Sequence, residues 1–198
     1  MLALVQFLCV LLRSLMSTAV KLMTVEEFLP WAEGKEGRWE LHEGVPVMMS
    51  PERSLHAETK AEAYVALREA IRLKGLPCRV YPDGMAIRID ARATYEPDAS
   101  VVCGPRVAPD AIEIDNPVIV VEVLSPSTAA IDHGRKLSGY FSLVSVQHYL
   151  ILDPDRRVVI HHKRGSRDAI ETRVLTEGAA RLDPPGFEVA VEALFPPA

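Results

Sequence analysis

The chain has 198 residues, of which 48% are hydrophobic and 25% are charged, and its formal net charge is −5. This length supports one domain with a sizeable core, and the composition is that of an ordinary soluble globular protein. The acidic balance argues against a generally basic nucleic-acid coat. It leaves room for a local basic surface, which is all that a transient DNA-binding protein needs.

An apolar stretch, MLALVQFLCVLL, opens the chain. It is short for a helix that spans a bilayer, and it lacks the basic start of a secretory signal. We therefore predict that residues 1–22 are an apolar extension and that residues 23–198 form a single domain. This extension has two interpretations. It is the product of a misassigned upstream start codon, or it is an extra helix that packs on the domain or a partner, and we prefer the first. No membrane partner is expected.

Three cysteines, Cys9, Cys78 and Cys103, lie in apolar segments. The chain contains no CxxC pair and no Cys/His group with the spacing of a zinc site. Reduced, buried thiols in a cytoplasmic protein are the prediction that follows.

Two helices are predicted before the middle of the chain. Thr24 and Glu27 stand three residues apart, which is the spacing of a capping box at the start of a short helix. The apolar residues of Ser54–Lys74 repeat with helical periodicity, and Gly75 follows as a residue that ends helices in the left-handed conformation.

Two hairpins are predicted around glycine-containing turns. The first joins residues 39–42 and 45–49, and Pro46 confines its second strand to the edge of a sheet or to a bulge. The second joins residues 78–81 and 85–89.

The central prediction concerns the stretch 116–140, whose first half is an apolar and mostly β-branched run that is typical of a strand buried on both faces. A proline at position 126 ends it, and Ser127 or Thr128 is placed to cap a helix over residues 131–145. Strands bracketed by helices predict an α/β (α+β) fold with a central mixed β-sheet flanked by helices.

Glu122 lies inside that apolar run, where an ionised carboxylate costs several kcal/mol unless it is compensated. Asp98 precedes the neighbouring predicted strand, and two converging carboxylates require a proton or a cation between them. Oxygen ligands of this kind suit Mg²⁺ or Mn²⁺, which activate water. Lys136, early in the next helix, would offset negative charge there.

Each residue also has a simpler interpretation. Glu122 could pair with Arg79 or Arg88, Asp98 could be a turn residue after proline, and Lys136 could be a solvated helix lysine. Residue type alone does not decide between these alternatives.

Four segments resemble those of a known family, and the resemblance as a whole spans roughly residues 23–164. The chain is similar to the Uma-type restriction endonucleases of the PD-(D/E)XK nuclease superfamily in EPDASVV at 96–102, VEVLSPST at 121–128, the stretch 132–140 and YLILDP at 149–154.

The resemblance implies a restriction-endonuclease-like core with Asp98 and Glu122 as catalytic acids. It implies a Mg²⁺ or Mn²⁺ ion held by both acids and the backbone carbonyl of Val123. The superfamily lysine normally follows the second acid by two residues, where this chain has Leu124. The family resemblance assigns the catalytic lysine to the helix, at Lys136.

Three residues are predicted as supporting groups of the site: Glu43, His56 and Glu58. The implied activity is metal-dependent cleavage of DNA, and a homodimer is one expected assembly. A nuclease fold that has lost turnover and binds nucleic acid or protein is the alternative. Candidates for phosphate contacts are Arg88, Arg92, Arg135, Arg156, Arg157, Lys163 and Arg164.

Overall fold

The computed structural model describes residues 21–125, 132–167 and 169–197, with backbone alone for Asp132 and His133. The helices are α1 (Val25–Glu33), α2 (Ser54–Lys74) and α3 (Asp132–Ser142), and a 3₁₀ turn covers Glu192–Leu194. The strands are β1 (Trp39–His42), β2 (Val45–Met48), β3 (Cys78–Pro82), β4 (Ile87–Asp90), β5 (Ala93–Tyr95), β6 (Ala99–Cys103), β7 (Ile119–Val123), β8 (His148–Asp153), β9 (Val158–Arg164), β10 (Ile170–Leu175), β11 (Ala179–Leu182) and β12 (Phe187–Ala190).

A six-stranded sheet in the order β10-β9-β8-β7-β6-β3 forms the centre of the fold. Its β7 and β8 run parallel, whereas the other described pairs of this sheet are antiparallel. A second sheet has the order β2-β1-β5-β4, and β11 and β12 form a separate hairpin. The mixed central sheet with its helices confirms the predicted fold class.

Strand β7 lies between two apolar cores, as its sequence predicts. Val121 and Val123 pack in the core that contains the buried face of α2, whereas Val120 packs in the core that contains Tyr140 of α3. Because strand side chains alternate between faces, Glu122 shares the α3 side with Val120. The strand therefore presents its carboxylate to α3.

Several local predictions are confirmed. Thr24 and Glu27 form both hydrogen bonds of a capping box at the start of α1. Gly75 ends α2 in the left-handed conformation, with φ 62°. Pro46 lies in β2, which is an edge strand of the four-stranded sheet.

The predicted second hairpin is wrong. Strand β3 pairs with β6 in the central sheet, whereas β4 pairs with β5 in the other sheet. Val80 of β3 packs in the core under α2, and Ile87 of β4 packs in the core under α3. Apolar and polar residues alternate in both segments, which favours a hairpin. The turn between them instead carries the chain from one sheet to the other.

The prediction of reduced thiols at positions 78 and 103 is also wrong. Cys78 and Cys103 are directly opposite each other in the β3–β6 register, and they form a disulfide. Their separation of 25 residues gives no sign of this contact, which depends on the pairing of the strands. Cys9 lies outside the described residues.

Lys21 and Leu22 are the described part of the predicted extension at residues 1–22. The predicted cap at Ser127 or Thr128 also lies outside the described residues. Among the helices that the structure describes, none has the length and apolar character needed to cross a membrane.

Helix α3 approaches β5 through a glycine. A Cβ atom added at Gly139 would lie 2.7 Å from Cε2 of Tyr95, which is closer than such atoms pack. The ring of Tyr95 in turn meets that of Tyr140 edge-on, with centroids 5.5 Å apart. The missing side chain at position 139 therefore sets how closely α3 approaches the strands below it.

We expect Gly139→Ala to destabilise the protein by about 1–3 kcal/mol, because the methyl group must displace a buried ring. The free energy of unfolding, measured by urea titration, checks this. The matched control is Gly134→Ala in the same helix, where an added Cβ meets nothing within 4 Å. That change should be neutral or stabilising by about 0.5–1 kcal/mol. Equal effects of the two substitutions would contradict the close approach.

Candidate active site

Asp98 is fixed at the end of β7 by backbone contacts. Asp98 directly precedes β6, whose first residue, Ala99, is opposite Val121 in the β6–β7 register. The amide of Asp98 donates to the carbonyl of Val121 at 3.0 Å, and the amide of Val123 donates to Asp98 Oδ2 at 2.7 Å. The side chain of Asp98 is only 6% exposed. The backbone thus holds one carboxylate at a defined place beside Glu122.

Glu122 accepts two hydrogen bonds from α3. Lys136 Nζ lies 3.0 Å from Glu122 Oε1, and the hydroxyl of Tyr140 donates to the same oxygen at 2.6 Å. The two donors stand four residues apart and so share one face of the helix. The alternative pairing with an arginine is wrong, because Arg79 donates to the carbonyl of Gly104 and Arg88 binds Glu113.

A third carboxylate, Glu40 of β1, joins this group. Its Oε1 lies 3.0 Å from Lys136 Nζ and accepts the amide of Glu96 at 2.8 Å, while its Oε2 lies 2.8 Å from His42 Nε2. Glu40 is not among the site residues that the sequence predicts. The available signal was the alternation of β1, which puts two ionisable residues, Glu40 and His42, on one face.

His56 of α2 contacts the carbonyl that was predicted as a metal ligand. Its Nε2 lies 3.0 Å from the oxygen of Val123, and because a carbonyl only accepts, Nε2 carries the proton. The same nitrogen lies 3.8 Å from Asp98 Oδ2, and Nδ1 lies 3.8 Å from Glu52 Oε2. His56 therefore lies between two acids, Asp98 and Glu52.

Behind Asp98 lies a group that we call the acidic cluster: Glu52, Asp83 and Asp98. The ammonium of Lys60 lies among all three, bonded to Glu52 Oε1, 2.5 Å from Asp83 Oδ2 and 3.7 Å from Asp98 Oδ1. Arg38 Nη1 bridges Asp83 at 2.6 Å and Glu52 at 3.2 Å. Salt bridges to Asp83 and Glu52 outweigh the effect of burial and raise the pKa of Lys60. His56 and Lys60 stand four residues apart and so share one face of α2, which is the signal in the sequence that links Lys60 to the site.

Two predicted supporting residues do not belong to this arrangement. Glu43 lies in the β1–β2 turn with its side chain 76% exposed and 3.7 Å from Arg135. Glu58 is exposed on α2. No contact that the described residues make joins either one to Asp98 or Glu122, whereas His56 is brought into the site.

Glu40 and Glu122 both contact Lys136, but their pKa values are shifted in opposite directions. Burial raises the pKa of Glu122 to about 8, and the negative charge of Asp98 adds to this against the opposing effect of Lys136. Burial also raises the pKa of Asp98. For Glu40, burial acts in the same direction, but Lys136, His42 and the Glu96 amide outweigh it and lower the pKa to about 2. Negative charge at Asp98 and Glu122 is therefore incompletely compensated.

The donor set fits a divalent cation. Asp98 and Glu122 offer carboxylate oxygens at adjacent strand positions, and Val123 offers a carbonyl beside them, which are the hard ligands that Mg²⁺ and Mn²⁺ bind. Glu52, His56 and Asp98 also offer one atom each within 4.8 Å of one another. Burial makes the charged forms of Asp98 and Glu122 unfavourable, and a cation bound between them would stabilise those charged forms.

The chain is similar to known proteins in sequence and in fold. Residues 25–194 match the model of the Uma2 family, whose description is "Putative restriction endonuclease". The protein slr1290 of Synechocystis sp., described as uncharacterised, is 27% identical over 175 residues, which cover 87% of this chain and 91% of that protein. The crystal structure of "a putative nuclease belonging to DUF820" from Anabaena variabilis is similar with a TM-score of 0.70 and 18% identity, covering 87% of this chain and 97% of that chain. The latter likeness shows a shared fold.

The raised pKa of Glu122 predicts a pH-dependent stability. Its pKa of about 8 in the folded protein exceeds the ordinary value of 4.5, so the folded state keeps a proton that the unfolded state releases. The stability linked to this proton is present below pH 4.5 and is lost as the pH rises through about 8. We expect wild type to lose roughly a few kcal/mol relative to Glu122→Gln between these limits.

Urea unfolding of both proteins at several pH values in EDTA checks this. Glu171→Gln is the matched control, because Glu171 is exposed on edge strand β10, and it should track wild type at every pH. A stability difference between wild type and Glu122→Gln that does not change with pH would contradict the prediction.

Proposed function

Because this chain belongs to the Uma2 family, we propose that it is a metal-dependent endonuclease that hydrolyses phosphodiester bonds of DNA. The observation that best supports this function is the proximity of two acids and a lysine: Asp98 accepts the amide of the residue after Glu122, its charge acts on Glu122, and Lys136 Nζ lies 3.0 Å from Glu122. Acids at adjacent strands, a carbonyl and an ammonium are the parts that hydrolysis of a phosphodiester requires.

Mg²⁺ or Mn²⁺, when bound, would supply Lewis acidity for the attack of water and neutralise charge on the phosphate. In this proposal Asp98 and Glu122 hold the ion, and the carbonyl of Val123 is the third protein ligand. That carbonyl accepts one hydrogen bond from His56. A carbonyl oxygen has two lone pairs, so the one that His56 does not use is available.

Lys136 is the proposed catalytic lysine. Leu124 stands where the superfamily has its lysine, and it packs against the core under α3 instead. The Lys136 ammonium lies against Glu122 from the helix side, where it can orient the attacking water and offset developing charge. Glu40 uses both oxygens to bind Lys136, His42 and a backbone amide, so its role is to position the lysine.

A DNA substrate, a cytoplasmic location and a homodimeric assembly are parts of the same proposal. Three predicted phosphate contacts are engaged elsewhere: Arg88 binds Glu26 and Glu113, Arg157 donates to the carbonyl of Pro196, and Arg164 donates to backbone carbonyls near the end of α3. Two more lie against carboxylates, Arg156 at 2.9 Å from Asp153 and Arg135 at 3.7 Å from Glu43, so the remaining candidates for phosphate contacts are Arg92 and Lys163.

A second candidate function is a module that keeps the nuclease fold but has no turnover. Leu124 at the usual lysine position and the net charge of −5 favour it. The two functions differ in what they require of the acids, because catalysis needs an ion at Asp98 and Glu122 and scaffolding does not.

Wild type is expected to bind Mn²⁺ in isothermal titration calorimetry, and Asp98→Asn and Glu122→Gln should each weaken binding by at least about tenfold. Each variant removes a charged oxygen ligand of the proposed ion. Glu171→Gln should bind like wild type, because Glu171 is exposed on β10. Binding that survives both substitutions would place the ion elsewhere, and absence of binding to wild type would favour the scaffold.

With Mg²⁺, wild type is expected to nick supercoiled plasmid. Asp98→Asn and Glu122→Gln should lower the rate by at least about 100-fold, and Lys136→Met by about 10- to 1,000-fold, which is the range for removal of one electrostatic group from an active site. Circular dichroism shows that each variant is folded, and Glu171→Gln should retain the wild-type rate. Cleavage that persists at the wild-type rate in Asp98→Asn and Glu122→Gln would overturn the assignment.

A further inference from the structure

We propose that Lys60 is a built-in counter-ion, whose ammonium takes the place that a second divalent ion would occupy, so that each chain binds one divalent ion. The inference rests on the proposed function in one respect, because Asp98 belongs both to the proposed metal site and to the acidic cluster around Lys60.

The position of the ammonium is that of a bound cation. Three carboxylates surround Lys60 Nζ: Glu52 Oε1 in direct contact, Asp83 Oδ2 at 2.5 Å and Asp98 Oδ1 at 3.7 Å. The lysine side chain is 10% exposed, so little water competes for these contacts. The two oxygens of Asp98 thus have separate surroundings: Oδ2 accepts the Val123 amide, and Oδ1 faces the ammonium.

Arg38 closes the same cluster from the opposite side. Its Nη1 bonds to Asp83 and Glu52, and its Nε donates to Glu96 Oε1 at 3.0 Å. The two cations therefore share Asp83 Oδ2 and Glu52 Oε1, and Lys60 also lies 3.7 Å from Asp98 Oδ1. An ammonium and a divalent ion at the same carboxylates would repel each other strongly at this separation.

Without the ammonium, the acids would have the character of a metal site. Glu52, His56 and Asp98 place one ligand atom each within 4.8 Å of one another. The Nδ1 atom of His56 is buried, has no hydrogen-bond partner and lies 3.8 Å from Glu52 Oε2. A histidine whose other nitrogen donates to a backbone carbonyl is oriented as metal-binding histidines are. Removal of Lys60 is therefore expected to uncover a second site.

Mn²⁺ stoichiometry tests this directly, by calorimetry and by the electron paramagnetic resonance of free Mn²⁺. Wild type is expected to bind one ion per chain and Lys60→Met to bind two. Arg38 still bridges Glu52 and Asp83 in that variant, which supports its folding. Lys60→Gln is a second variant that loses the charge and keeps a hydrogen-bond donor, and it too should bind two ions.

Two control variants are used. One keeps a positive charge at position 60, and the other removes a lysine outside the acidic cluster. Lys60→Arg retains a cation and should bind one ion. Lys74→Met removes an exposed lysine from the last turn of the same helix and should also bind one. In the double variant Lys60→Met/Glu52→Gln the stoichiometry should return to one, because a ligand of the uncovered site is lost.

The outcomes separate this inference from the proposed function. Two ions in wild type, or no added ion in both Lys60→Met and Lys60→Gln, would overturn the inference and leave the site at Asp98 and Glu122 intact. If wild type binds no ion and both Lys60 variants gain one, the proposed metal site fails, and the role of Lys60 as a counter-ion is supported.

Discussion

The structure depends on one shared ammonium, that of Lys136, which lies 3.0 Å from Glu40 and 3.0 Å from Glu122. These acids belong to different sheets, since Glu40 is in β1 and Glu122 in β7. Burying a carboxylate is costly unless a cation compensates it, so the two sheets and α3 must meet at this point for either acid to be tolerated. The absence of a side chain at Gly139 lets the helix come close enough to β5 for that meeting.

Two acids beside one lysine nevertheless differ in protonation, because their other contacts differ. Glu40 accepts from His42 and from a backbone amide, and these donors favour its charged form. Glu122 has a tyrosine hydroxyl in addition to the lysine, and it lies near the negative charge of Asp98. Carboxyl groups whose surroundings push their pKa values apart have distinct roles in a site, and here they separate a positioning acid from a candidate metal ligand.

The parts of the site that sequence could predict are those with a strong local pattern. Glu122 interrupts a β-branched run, Asp98 follows a proline before the next strand, and Lys136 follows in the succeeding helix. Glu40, Glu52 and Lys60 were missed because each meets its partners only after distant segments pack together, and each alone resembles an ordinary surface residue. The same limit explains the failed hairpin between β3 and β4 and the unexpected Cys78–Cys103 disulfide. Alternation identifies a strand, but it does not identify the neighbour with which the strand pairs.

The leucine at position 124 has a consequence for motion. When a carboxylate and a lysine stand two residues apart on one strand, their backbone positions are fixed by the same ladder of hydrogen bonds and move as a rigid unit. Here the ladder carries the acid, and a separate helix carries the ammonium. A slide of α3 along the sheet would alter the spacing of the charged pair without disturbing a single bond within β7, so the geometry of this pair is adjustable from outside the strand.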